Sequence, residues 1–142
     1  MLEGKSILIV CTEGESRDKL VARILDLGLQ PLCLTNCSDA QNLLGRQDFR
    51  IVLCSDNLPD GDYRNVIAAA TSTPVIVLSH VAEWGPYLTA LQAGAFDYIL
   101  CPPYGAEVDR ILSFALDEHS RLRGKGHQQP KASEQSPGRA LW

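Results

Sequence analysis

The sequence predicts an α/β domain in three layers, a parallel sheet of five strands with helices on both faces. Three observations predict it. Short β-rich runs at residues 7–10, 51–54 and 74–78 are apolar without polar alternation, which is how a strand buried on both faces reads. Between these runs apolar residues fall at helical spacing, so that strand and helix alternate five times. The chain also has 142 residues, 45% of them hydrophobic and 21% charged, a length and mix suited to one soluble domain with its own core.

Ile7-Leu8-Ile9-Val10 is the first strand, and Cys11-Thr12-Glu13-Gly14-Glu15 the loop after it. Ser16 is placed to cap a helix on which Leu20, Val21, Ile24, Leu25 and Leu27 recur, and Gly28 stops it. Pro31-Leu32-Cys33-Leu34-Thr35 is the second strand. Ser38 or Asn36 caps a second helix that carries Ala40, Leu43 and Leu44. The third strand, 51–54, opens into a loop over 55–62 that is rich in turn residues. A short helix over 63–70 leads to the fourth strand at 74–78 and the loop that begins Ser79-His80-Val81. The fourth helix covers residues 83–93 and ends at Gly94. Phe96-Asp97-Tyr98-Ile99-Leu100 is the fifth strand, and Cys101-Pro102-Pro103-Tyr104-Gly105 a stiff loop. The last helix, over 106–119, sets Val108, Ile111, Leu112 and Ala115 on one stripe. The domain is expected to span 1–119. Residues 120–142, rich in Gly, Gln, Pro, Ser and charge, read as a disordered basic tail.

The formal net charge of −4 is unevenly spread. Residues 1–119 carry 8 basic and 16 acidic side chains, residues 120–142 carry 5 and 1. An acidic body argues against nucleic-acid binding by the domain itself, because phosphate contacts need clustered Lys and Arg. The basic tail alone would touch an anionic surface only weakly. The longest apolar runs are far too short to span a bilayer, so no membrane role is expected. The start, Met1-Leu2-Glu3-Gly4-Lys5-Ser6, passes straight into a strand and lacks a leader pattern. The five cysteines, Cys11, Cys33, Cys37, Cys54 and Cys101, are odd in number and hold no Cys-x-x-Cys or zinc-type spacing. Reduced thiols in the cytoplasm are the expected state.

In open parallel sheets, ligands lie outside the carboxyl ends of the strands. Those positions hold Cys11-Thr12, Ser55-Asp56, Ser79-His80 and Cys101-Pro102. The loop after the first strand has neither the dinucleotide nor the P-loop glycine pattern, which disfavours a nucleotide-binding enzyme.

Four segments resemble the receiver domains of two-component response regulators. They are residues 7–10, the loop Ser55-Asp56-Asn57-Leu58-Pro59-Asp60, the run 74–79, and Ala93-Gly94-Ala95-Phe96-Asp97-Tyr98 followed by Cys101-Pro102. The resemblance covers residues 5–119. It implies a flavodoxin-like sheet of order 2-1-3-4-5, and it makes Cys101-Pro102 a candidate cis peptide. It also implies a chemistry. An acidic pair after the first strand and an Asp after the third bind Mg²⁺, and that Asp takes a phosphoryl group, which the metal and a Lys after the fifth strand stabilise. A Ser or Thr after the fourth strand and an aromatic on the fifth then carry the signal outward.

Only the switch pair, Ser79 and Tyr98, matches. Cys11 and Thr12 stand where the acidic pair belongs, Ser55 at the acceptor position, Cys101 where the Lys belongs, and Tyr63 where the family usually has Gly. Acids and base are missing together, so no lone buried ammonium is left to destabilise the fold. The expected pocket of Cys11, Thr12, Ser55, Asp56, Ser79 and Cys101 is a degenerate phosphorylation site with no catalytic residue. Mg²⁺ binding is expected to be lost and no other cofactor is expected. The chain then reads as a pseudo-receiver, not an enzyme, acting by protein–protein contact on a histidine kinase, an output protein or a second copy in a homodimer. Trp84, Tyr87, Tyr98 and Tyr104 mark the partner face, since aromatic residues dominate binding hot spots.

Other readings compete with this one. Asp56, one residue past the acceptor position, is a candidate displaced acceptor, with Glu13 and Glu15 as metal partners. Against that, one step along a strand end turns a side chain to the other face, and loop acids also favour a following helix N-terminus. Ser55 would need a base, and His80 is the only one nearby. Cys11 and Cys101 would face one pocket, open to a thiol-sensing or soft-metal role, with Cys54 pointing the opposite way. A free cysteine is also simply a small buried hydrophobe.

Overall fold

A computed structural model describes residues 6–124, with side chains through residue 118. The elements alternate as β1 (Ser6–Val10), α1 (Glu15–Asp26), β2 (Gln30–Leu34), α2 (Cys37–Leu44), β3 (Ile51–Ser55), α3 (Tyr63–Ala69), β4 (Val75–Ser79), α4 (Trp84–Gln92), β5 (Asp97–Leu100) and α5 (Gly105–Gly124). Every strand pair is parallel, and the order is β2-β1-β3-β4-β5.

Side chains alternate across each strand, and the two faces feed two cores. On one face Ile7, Ile9, Leu53, Ile76 and Ile99 pack against Leu20 and Ile24 of α1 and Val108, Ile111 and Leu112 of α5. On the other, Leu8, Val10, Val52 and Val77 pack against Ala40 of α2, Val66 of α3 and Ala90 of α4. Both faces are therefore dry, which is why these strands read as unbroken apolar runs. Pro31 is tolerated because β2 lies at the sheet edge.

Several boundaries differ from the sequence reading. Ser16 does not cap α1. The cap residue is Gly14, no side chain bonds there, and Glu15 and Asp18 in the first turn supply the favourable charge instead. Asn36, not Ser38, caps α2, its Oδ1 accepting the Asp39 N–H at 2.8 Å. Leu25 and Leu27, grouped with the core by helical spacing, face solvent, because the apolar stripe of α1 narrows to Leu20 and Ile24. α5 continues through 120–124, five residues that the sequence assigned to the tail, where Arg121, Leu122 and Arg123 are good helix formers. The first residues of the chain and the segment 125–142 lie outside the described residues. Among the described residues no helix is long and apolar enough to cross a membrane.

Candidate functional site

The carboxyl ends of β1, β3, β4 and β5 converge on one rim. Val10 pairs with Cys54, Ser55 with Leu78 and Ser79 with Leu100, so the residues that follow these pairs stand side by side. Backbone bonds extend the sheet into the loops. Asp56 N–H donates to Leu78 O at 2.9 Å, and Cys101 N–H to Ser79 O at 2.7 Å. The rim thus gathers Cys11, Ser55, Asp56, Ser79 and Cys101, with Thr12 exposed beside them. The Cys101-Pro102 peptide is cis.

The thiols at this rim are protonated at neutral pH. Burial pushes Cys11 up to about 11, with Cys33 and Cys101 adding to the effect and Arg17 opposing it. Burial also raises Cys101, against a hydrogen bond with the Ser16 side chain, while the Asp56 charge raises it further. Cys11 and Cys101 belong to the core beneath α1 and α5, and Cys54 to the core on the other face. All five cysteines are free, so the candidate Cys11–Cys101 pair is not joined.

Asp56 is half-buried, and its charge bears on Cys54, Tyr63 and Cys101. Glu13 and Glu15 are exposed and do not gather with it. Among the described residues no three His, Cys, Asp or Glu side chains converge as a metal site. The donors at positions 11, 12, 55 and 101 are thiols and hydroxyls, whereas Mg²⁺ is held through carboxylate oxygens and water. These residues do not fit that ion.

Ser55 has no partnership with His80. Its hydroxyl donates to Asn57 O at 3.2 Å and accepts the Asn57 N–H at 3.4 Å, closing a turn, and His80 is exposed. The loop after Ser55 is fastened elsewhere. Asp60 reaches α2, accepting the N–H groups of Cys37 at 2.7 Å and Ser38 at 3.0 Å, and these bonds hold its carboxyl below the usual aspartate range. Gly61 follows with φ 154°, where a Cβ would meet Asn65 Oδ1 at 2.5 Å. Tyr63 is buried in the core on the α2/α3 side.

The expected switch pair meets at one residue, Val81, one through its N–H and the other through its C=O. Ser79, 1% exposed, accepts the Val81 N–H on its Oγ at 3.0 Å, and the Tyr98 hydroxyl donates to Val81 O at 2.9 Å. Tyr98 meets Tyr87 edge-on with ring centres 5.7 Å apart, and Tyr87 lies 5.3 Å from Trp84. Three of the four proposed partner-face aromatics therefore form one chain, ending at Trp84, which is 68% exposed. Tyr104 stands apart from it on the following loop, exposed. Sequence reasoning missed Ser16, Val81 and Asp60. Only the Asp60-Gly61-Asp62 turn signal hinted at the last.

No family model matches the chain. The chain is 27% identical over 137 residues to the response regulator protein PilR of Pseudomonas aeruginosa, covering 94% of this chain and 29% of that protein. It is 30% identical over 125 residues to the regulatory protein AtoC of Escherichia coli, covering 85% and 27%. It thus spans less than a third of these curated relatives. Among solved structures it matches the receiver domain of the sensor histidine kinase PA1611 of Pseudomonas aeruginosa with a TM-score of 0.71 and 28% identity. That match covers 80% of this chain and 98% of the other, whose cleft coordinates a magnesium ion.

Proposed function

This chain is a receiver domain of the response-regulator family, and from that premise we propose that it signals by protein contact, without a phosphorylation cycle of its own. The observation that carries the reading is the donor set of Cys11, Thr12, Ser55 and Cys101 at the rim of the sheet. The related PA1611 receiver coordinates magnesium in its cleft. Here thiols and hydroxyls occupy the corresponding places, with Cys11 and Cys101 kept neutral by burial. These four donors offer a divalent cation no charge, which leaves Asp56 as the one carboxylate of the rim, and an aspartyl phosphate formed without the metal and the lysine lacks their stabilisation.

The outward half of the device is retained. Ser79 and Tyr98 both engage Val81, and Tyr98 leads through Tyr87 to Trp84. The aromatic face is thus organised by bonds internal to the protein. Its partner is a histidine kinase, an output protein or a second copy, met in the cytoplasm, where the free thiols stay reduced. The module is regulatory, with no catalysis and no cofactor of its own.

One observation favours a second reading. Asp56 is within electrostatic reach of Cys101 at the same rim, as a displaced acceptor would be. Incubating the full chain with acetyl phosphate and Mg²⁺ and measuring intact mass separates the two. The expected result is an unchanged mass. A stable gain of one phosphoryl group, lost in Asp56→Asn, overturns the first reading and establishes the second.

A further inference from the structure

One edge of the sheet is built without the usual protection. β2 forms that edge, paired with β1 on one side and, among the described residues, with no strand on the other. Leu34 O accepts the Cys11 N–H at 3.0 Å, so Gln30, Leu32 and Leu34 bond inward to β1. The backbone groups of Pro31 and Cys33 between them point outward. Natural sheet edges are blunted with charged side chains. Residues 29–35, Leu-Gln-Pro-Leu-Cys-Leu-Thr, carry none. Pro31 removes one outward N–H and leaves Cys33 with both of its groups.

Apolar side chains flank this edge on both faces of the sheet. Leu32 stands level with Leu8 on the α2 side and is exposed, with Leu34 half-buried beyond it. On the other face, α1 turns Arg23 toward α5. Val21 and Leu25, one turn apart, lie on the opposite flank of α1, the one toward the edge, and Leu25 is exposed.

We propose that a second copy of the chain pairs antiparallel with β2 across a two-fold axis at Cys33, joining two five-stranded sheets into one. A second copy is the occupant because the strand complements its own reverse. Cys33 meets Cys33 of the copy, and the two exchange both N–H···O bonds. Leu32 falls opposite Leu34 of the copy, which covers its exposed side chain. Pro31 falls opposite Thr35 of the copy, where the proline carbonyl accepts and the missing N–H forfeits one bond. With no charge in residues 29–35, no like charges meet at the seam. At a strand spacing of about 4.8 Å the two α1 helices come flank to flank, Val21 and Leu25 against the same residues of the copy. The α4 face is left open to a kinase or output protein, so the inference goes beyond the reading of that face and does not rest on it.

Sedimentation equilibrium of the full chain should show a species of two chains that dissociates on dilution. Leu32→Glu sets a carboxylate at the seam and should give a single chain. Leu25→Glu, an exposed substitution on the other face, should raise the dissociation constant. Trp84→Glu tests the α4 face and should leave the dimer intact. In the dimer the Cys33 amide should exchange slowly with solvent, and it should lose that protection on dilution and in Leu32→Glu. A single chain at the highest soluble concentration overturns the proposal. So does a dimer that Leu32→Glu or Leu25→Glu leaves as strong as before, a dimer that Trp84→Glu dissociates, or one whose Cys33 amide exchanges as fast as in Leu32→Glu. None of these results bears on the phosphorylation reading, which intact mass tests separately.

Discussion

α1 and α4 cover opposite faces of one sheet and use their residues in opposite ways. α1 has six charged residues among twelve, yet buries Leu20 and Ile24 completely. Arg23 fastens it to α5, donating through Nε to Asp109 Oδ1 at 2.7 Å and through Nη2 to Asp109 Oδ2. α4 has no charge at all and buries only Ala90, while Trp84 and Leu88 stand in solvent. Apolar content therefore does not tell a supporting helix from a displaying one. The charged helix holds the fold together, and the uncharged helix presents a surface.

The strongest way to break this contrast is to truncate one residue on each helix. Ile24→Ala empties a site in the core shared with Leu112 and Ile111, and should cost about 2–5 kcal/mol. Trp84→Ala removes a larger side chain from the surface and should stay within about 0.5 kcal/mol of the parent. Urea midpoints at unchanged m-value measure both. A loss in Trp84→Ala comparable to that in Ile24→Ala would make α4 a supporting helix and remove the physical basis for a partner face.

Tyr98→Phe sharpens the same contrast at smaller scale. It keeps the edge-on contact with Tyr87 and deletes only the bond to Val81 O. Loss of one hydrogen bond should cost about 1 kcal/mol. The loosening should be local, read as faster amide exchange in the loop between β4 and α4 with no change in α1. Exchange that rises equally in both helices would show that the hydroxyl supports the whole fold.

The sequence made the fold legible because both sheet faces are buried. Residues 7–10 and 51–54 could not be amphipathic helices of that length; the period of two turns Cys54 away from Ser55, and the resemblance to receivers sets Cys11 and Cys101 in one pocket. The site was legible only where side chains act for themselves. Val81 acts through its backbone N–H and C=O, which any residue but proline supplies. Asp60 caps a helix more than twenty positions upstream, a contact created by the crossover between β2 and β3. Ser16 reads as a helix cap by residue type, but its hydroxyl meets Cys101 from the far edge of the sheet. Tyr104 is close to the other aromatics in sequence, but it lies on the loop after β5, exposed and outside the Trp84–Tyr87–Tyr98 chain.

Acid gives the finest test, because one helix is fastened by an ion pair and the other by neutral rings. The Arg23 guanidinium bonded to Asp109 holds that carboxyl below its usual value. A carboxyl lowered in the folded state adds stability that is present above the unfolded value, about pH 3.9, and is lost as pH falls through the folded one. Lowering the pH through that window should therefore loosen α1 against α5, an effect that Asp109→Asn removes by being absent at every pH. The Trp84–Tyr87–Tyr98 chain contains no carboxyl and makes no contact with Asp109, so the environment of Trp84 should be the same in Asp109→Asn and in the parent as acid is added. The pair is solvent-facing, so the effect should be small and should shrink further in salt. Amide exchange in α1, followed beside Trp84 fluorescence in Trp142→Phe, reads both helices in one titration. If the gap between parent and Asp109→Asn stays constant from neutral to strongly acid solution, the carboxylate is not what fastens α1, and its two buried side chains hold it alone.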